Sequence, residues 1–418
     1  MLLLGLILLI LLLLLLRQNL LVILALATAY SYWFWGDGLV EYIVLDGWYA
    51  VNKEILLSIP LYLLAGTLMS QGSMADRIIA LLKASTIAIP GGLALAAVLS
   101  CAMFAAISGS STVTLLAIGT VLYPALLKAG YSKYLSMGVL CAAGTLGIIV
   151  PPSIPLILYG VMTNTSITDL FKAGIGPALV IASILSIYVI LMGRQSKRGQ
   201  FSLADILSAG KRSILAVFMP LIVLGGIYSG FFTATEAAAV AVVYTLIVQM
   251  GVYREMGLDD VLQSVEKTAA LIGSLFPVLM IALSLNQLLN LNHVPPILVE
   301  WMTESFETKT GFLVAVNIAL LAVGSIMDIG SAILVLAPLL KPIAASYGID
   351  QVHFGIMMIV NLEIGYLTPP MGLNIIVAMS VFRESFTDII KAVIPFIGLL
   401  IIGLVIVTLL PQLSLFLI

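Results

Sequence analysis

Ser108, Gly109, Ser110, Ser111 and Thr112 precede a break at Gly147 to Pro152, and Asp328, Ile329, Gly330 and Ser331 precede a break at Gly365 to Pro370. Each cluster lies inside apolar sequence long enough to cross a bilayer. Proline removes a backbone donor and clashes with the preceding turn, so carbonyls just before each double proline leave the helical ladder. Freed carbonyls and hydroxyls are hard oxygen donors of the kind a sodium ion takes. A helix broken at membrane depth also turns N–H groups toward an anion, and such breaks in both halves of a chain point to a transporter's binding site.

On this chemistry Ser108, Ser111, Gly147, Val150 and Pro152 form a first candidate sodium site, and Gly324, Asp328, Gly365, Thr368 and Met371 a second. Ser110, Thr112 and Asn374 are the candidate substrate contacts. Asp328 reads both as a cation ligand and as the N-cap of the helix that follows it, and the two roles are compatible. Glu363, at the position of Thr145 in the first half, is an ionisable group at membrane depth that suits a structural or cation-tuning role.

The elements that hold these residues are transmembrane helices. Hydrophobic residues make up 62% of the 418-residue chain and charged residues 9%, against about 45–50% and about 25% in soluble domains. An open sheet edge cannot be satisfied in lipid, so the expected fold is all-α and polytopic. Met1 to Leu16 reads as a first membrane helix rather than a cleaved leader, because Arg17 follows the apolar run instead of preceding it.

Apolar arms at Ile87 to Ile107 and Val113 to Leu127 meet at the Ser/Gly tip. They fit a full crossing or a re-entrant hairpin, and the small polar tip favours the hairpin, where non-helical backbone lines a cavity. Phe312 to Met327 and Ile333 to Ala345 flank the second tip. Leu258 to Lys267 reads as a separate amphipathic segment before a span at Leu271 to Leu289.

The separation from Gly130 to Pro151 equals that from Gly348 to Pro369, which marks an internal repeat. Pro124 to Lys128 pairs with Pro338 to Lys341 if a few residues are inserted before Gly348. The basic stretch with Arg194, Lys197, Arg198, Lys211 and Arg212 falls between the halves and reads as cytoplasmic.

Other chemistries find no support. A net charge of -2 leaves no footprint for nucleic acid. Cys101 and Cys141 lack a CxxC or His partner and read as packing residues. His293 and His353 read as surface turns, and no phosphate loop or zinc motif is present, so the energy source is expected to be an ion gradient and the chain is not expected to be an enzyme. Thr233 and Glu236 form a capping-box pattern.

Phe104 to Ser110, Ile149 to Gly160 and Leu367 to Asn374, together with Ile59 to Gly66 and Lys128 to Tyr131, resemble the large membrane subunit of TRAP transporters, the tripartite ATP-independent periplasmic systems. The resemblance runs over nearly the whole chain. It implies an inverted-repeat elevator with two re-entrant hairpins: scaffold helices in 1–86 and 169–290, with the basic connection at 194–212, transport cores in 87–168 and 291–382, and a closing helix in 383–418.

It also implies sodium-coupled uptake of a small organic anion (a carboxylate, sialic acid or sulfonate) across the inner membrane. The partners implied are a small four-helix membrane subunit and a periplasmic substrate-binding protein. After the first tip this chain reads Ser111-Thr112-Val113-Thr114-Leu115 where many relatives carry small and acidic residues, which leaves the substrate class open. The competing reading in the same class is a stand-alone divalent-anion:sodium symporter. A channel would conduct ions without substrate, and an intramembrane serine hydrolase lacks a base near Ser108 or Ser110.

Overall fold

The computed structural model describes residues 2–16, 18–193 and 199–418, and all regular structure among them is helical. Nine of these helices are long and apolar enough to cross a membrane, or ten if Val294–Ser305 and Lys309–Gly324, bent by 114°, form one span. Arg194, Lys197 and Arg198 of the basic connection lie outside the described residues, while Lys211 and Arg212 stand in the helix Leu203–Tyr228.

Burial separates centre from periphery. In the first broken helix, Lys133–Thr163, 94% of its apolar 18-residue window is buried, whereas the corresponding share in Leu203–Tyr228 is 28%, and that helix turns most of its apolar surface outward. The outer helices pack among themselves: Ser58–Gln71 against Ala234–Leu246, Met74–Thr86 against Leu203–Tyr228, and Leu258–Leu291 along Tyr42–Val51.

In the centre, the helices Gly92–Ser108 and Ser111–Lys128 pack against each other across Gly109-Ser110 as a helical hairpin. Gly109 takes a left-handed φ of 57°, a conformation open to glycine without steric cost. The chain then forms Lys133–Gly144 and Leu146–Ile149, breaks, and resumes at Ile154–Thr163. The second half repeats this order with Lys309–Gly324, Ile329–Ser346, Gln351–Gly365, a break, and Leu373–Phe382. The halves interlock. Ser111–Lys128 packs on Leu373–Phe382, and Ile329–Ser346 packs on Ile154–Thr163.

The repeat is tighter than the Pro124 to Pro338 pairing suggests. Ser111–Lys128 and Ile329–Ser346 each have 18 residues, so no insertion is needed and Pro124 corresponds to Pro342. A single separation in residue number relates Ser110 to Asp328, Gly130 to Gly348, Thr145 to Glu363 and Pro151 to Pro369. The Pro151-Pro152 and Pro369-Pro370 bonds are both cis.

Two other expectations change. Leu258–Leu291 is one helix of 34 residues, not an amphipathic piece followed by a span, because nothing between Thr268 and Leu271 breaks the ladder and the Thr268 hydroxyl bonds back to the Ser264 carbonyl at 2.7 Å. His353 is buried rather than at a surface turn: Asp350 caps the helix, placing His353 in its first turn beneath Ser414, with Nδ1 3.2 Å from Ser414 Oγ. His293 is exposed at a turn, as its neighbouring prolines suggest. Cys101 and Cys141 are buried free thiols, and Thr233 with Glu236 forms a complete capping box.

Candidate binding site at the hairpin tips

Each broken helix docks on the tip of its own repeat. In the first, Ile154 N donates to Gly109 O at 3.3 Å. A Cβ on Gly147 would stand 2.6 Å from Ser110 O and 2.7 Å from Ser111 Cα, so only glycine permits this approach. In the second, Met371 N donates to Ser325 O at 3.2 Å, and a Cβ on Gly365 would stand 2.6 Å from Gly324 Cα. The structure therefore brings Ser111 to Gly147, and Gly324 to Gly365 with Met371 close by.

The oxygens are arranged differently in the two places. Pro151 has no N–H, so the Gly147 carbonyl has no partner four residues on. The Gly365 carbonyl faces the same gap at Pro369 but accepts the Thr368 N–H at 2.8 Å, and Thr368 Oγ1 donates to Ile364 O at 2.9 Å. Ser108 and Ser111 are both buried, with Ser108 Oγ 2.7 Å from Thr114 Oγ1. The Asp328 carboxylate caps its own helix, with Oδ2 accepting from Ser331 N at 2.8 Å and Oδ1 from Ser331 Oγ at 2.5 Å. Of the two roles read for Asp328, the cap is the one visible in its hydrogen bonds.

Both tips open onto one cavity of about 300 Å³. Ser110, Thr112, Asp328 and Tyr366 line it from the repeats, while Leu63 and Ser274 close it from the outer helices. Ser110 Oγ and Thr112 Oγ1 lie 3.0 Å apart, a hydroxyl pair at the start of a helix. Asp328 is the one charged residue among the lining residues described, and the Ser110 and Thr112 hydroxyls stand at a helix N-terminus, an end that favours negative charge.

Asn374 differs from expectation. It is fully buried and does not line the cavity, because its amide turns inward to Glu363, with Nδ2 donating to Oε1 at 2.9 Å. Sequence reasoning missed Tyr366 and Ser274. Tyr366 accepts the Ile329 N–H at 2.9 Å and so caps the second tip. Its signal was faint, since an aromatic residue in an apolar helix ordinarily reads as packing.

Helices broken at membrane depth, two interlocked repeats and a shared cavity define a multi-pass membrane transporter. Residues 6–413 match the family described as the Tripartite ATP-independent periplasmic transporter, DctM component, and the chain belongs to that family. It is the large membrane subunit of a TRAP system and not an enzyme.

The chain is 40% identical over 363 residues to the C4-dicarboxylate TRAP transporter large permease protein of Pseudomonas aeruginosa, covering 86% of this chain and 85% of the relative. It is 32% identical over 387 residues to the ectoine TRAP transporter large permease protein of Halomonas elongata, covering 91% and 90%. The crystal structure of the Alcanivorax borkumensis YdaH transporter superposes with a TM-score of 0.63 over 91% of this chain and 90% of that one. At 15% identity, that likeness speaks for the fold alone.

Proposed function

We propose that this subunit carries a small organic anion, a carboxylate or a sulfonate, into the cell with sodium, by movement of the interlocked repeats against the outer helices. The observation that carries this reading is the shared cavity. Its walls come from both tips and from the outer helices Glu54–Gln71 and Leu258–Leu291, so relative motion of the two groups would change its access. With no Lys or Arg among the lining residues described, anionic charge is offset by helix N-termini and by cations at the two tips.

Ser108, Ser111, Gly147, Val150 and Pro152 are the proposed ligands of one sodium ion, and Gly324, Gly365, Thr368 and Met371 of another, with Asp328 holding the second tip in shape. Ser110, Thr112 and Tyr366 are the proposed substrate contacts. Relatives of this chain include transporters of C4-dicarboxylates, isethionate and ectoine, which suggests the size range of candidate substrates. The protein would reside in the inner membrane, joined by a small four-helix subunit and fed by a periplasmic binding protein.

The test is uptake into proteoliposomes containing this chain and its small subunit, with and without an inward sodium gradient and the binding protein. Uptake that requires all three supports the proposal. Uptake by this chain alone would remove the requirement for the two partners, and uptake indifferent to sodium would remove the ion sites.

A further inference from the structure

We propose that Ser111, Asn374 and Glu363 form a hydrogen-bonded chain that makes the two ion sites interdependent, with Asn374 and Glu363 as positioning residues. The inference rests on the sodium-coupled reading above.

Ser111 opens the second arm of the first hairpin. Its hydroxyl donates to Asn374 Oδ1 at 3.4 Å, and Asn374 Nδ2 donates to Glu363 Oε1 at 2.9 Å. All three are buried. Glu363 lies before the break of the second broken helix, two residues from Gly365, and Asn374 lies in the helix after it. The chain thus ties both sides of one repeat's break to the tip of the other repeat.

The mirrored positions carry no such link. At the same separation in residue number, Ser111 corresponds to Ile329, Asn374 to Leu156 and Glu363 to Thr145. Thr145 donates to Ala142 O at 2.6 Å within its own helix, and the other two side chains are apolar. The fold therefore packs these positions without polar groups on one side, so packing alone does not require them on the other.

The Ser111 hydroxyl also neighbours the Glu363 carboxyl directly, whose Oε2 has no partner within hydrogen-bond distance, and among the described residues no Lys, Arg or His forms an ion pair with Glu363. Leaving such a group in a dry core is unfavourable, and ionisable groups at membrane depth mark function by default.

The chemistry of a hydroxyl supplies the coupling. Ser111 Oγ can present lone pairs to a cation while its O–H points to Asn374. A cation on that oxygen polarises the O–H, and polarisation passes along a hydrogen-bonded chain through the amide to the carboxylate. Binding at the first site then steadies the segment that carries Gly365 and Thr368. By reciprocity, binding at the second site favours the first.

The experiment measures sodium dependence of uptake in proteoliposomes with the small subunit and binding protein, for wild type, Asn374→Leu, Asn374→Ser, Glu363→Ala and Glu363→Gln. Wild type is expected to show a steeper sodium curve, with a higher Hill coefficient, than the Leu, Ser and Ala variants, in which the two ions bind independently and half-saturating sodium is raised about fivefold or more. Their substrate KM at saturating sodium should stay within about twofold of wild type, because neither residue lines the cavity. Glu363→Gln keeps an oxygen for Asn374 and should restore the wild-type curve.

Wild-type cooperativity in the Asn374 or Glu363→Ala variants overturns the coupling, as does a non-cooperative but sodium-dependent wild type. Glu363→Gln behaving like Glu363→Ala overturns it in favour of a direct role for the charge. Uptake by wild type that ignores sodium overturns the parent reading and the coupling together. Asn374→Ser retains a small polar side chain too short to span the gap, so it carries the test if Asn374→Leu does not fold.

Discussion

The first tip is built from hydroxyls and the second from a carboxylate and a phenol. Ser110 stands at the N-cap of Ser111–Lys128 yet makes no side-chain capping bond, leaving its Oγ with Thr112 at the cavity. Asp328, its counterpart, spends both carboxylate oxygens on Ser331, while Tyr366 covers the Ile329 N–H. Tyr366 itself corresponds to Ile148, which has no polar atom to offer. One backbone plan thus yields a tip whose Ser110 and Thr112 hydroxyls pair with each other at the cavity and a tip whose polar groups cap its own helix. The repeat fixes where chain ends meet, and the local side chains decide what each meeting place can bind.

The largest expected effect tests what the two tips share. Gly147→Val and Gly365→Val force side chains into backbone at 2.6 Å, so each should destabilise by about 1–3 kcal/mol and abolish uptake. Thermal melting of the purified complex, alongside uptake, checks this. A harmless substitution at one site only would mean that the repeats are less alike than their backbones.

Next comes the contrast between the caps. Asp328→Ala should lower stability by about 1 kcal/mol, whereas Ser110→Ala should leave melting unchanged and raise the substrate KM, because its hydroxyl lines the cavity instead of capping. Equal losses of stability would erase the distinction between a ligand tip and a structural tip.

A smaller effect concerns Asn361, whose Nδ2 donates to Asn317 O at 3.0 Å and to Asn317 Oδ1 at 2.7 Å. Its first-repeat counterpart is Ala143, so Asn361→Ala should cost about 0.6 kcal/mol, as bonds between membrane helices do on average. Unchanged melting would show that the second repeat gains nothing from this pair.

The smallest effects lie outside the cavity. Lys133 pairs with Glu384 at 2.6 Å and Asp388 at 3.0 Å, tying the first broken helix to the start of the closing helix Phe386–Leu409. Lys133→Met should lower melting slightly, and the difference should shrink in high salt because exposed pairs are screened. Away from both repeats, hydrogen bonds from Ser73 and Arg77 hold the Glu255 carboxyl below the usual glutamate range. A depressed folded pKa stabilises above the unfolded value and is lost as pH falls through the folded one, so wild type should lose its advantage over Glu255→Gln on acidification. Melting curves across pH check the sign, and an advantage that grows toward acid would overturn it.

Much of this was legible in the sequence. Double prolines, Ser/Gly tips and matched spacings located both breaks, because a proline's effect on its own helix is local and needs no tertiary context. The N-cap at Asp328 and the capping box at Thr233 and Glu236 were legible for the same reason. The failures are of the opposite kind. Asn374 reads as a polar group beside a cavity until the fold supplies Glu363 as its partner, and Tyr366 reads as packing until the fold brings it to Ile329 N. His353 misled in the same way, since the segment that buries it lies at the far end of the chain.

The sequence by itself determined that this chain is a bundle of membrane helices, where its helices break, and that the breaks come in a repeated pair. Those properties follow from hydrophobic length and backbone chemistry, which act within a few residues. The tertiary structure alone decided that the two tips share one cavity, that Ser111 reaches Asn374, and that the Ser110 hydroxyl remains at the cavity while the Asp328 oxygens are taken by its cap. These are contacts between segments far apart in the chain, and their partners are chosen by how the helices pack.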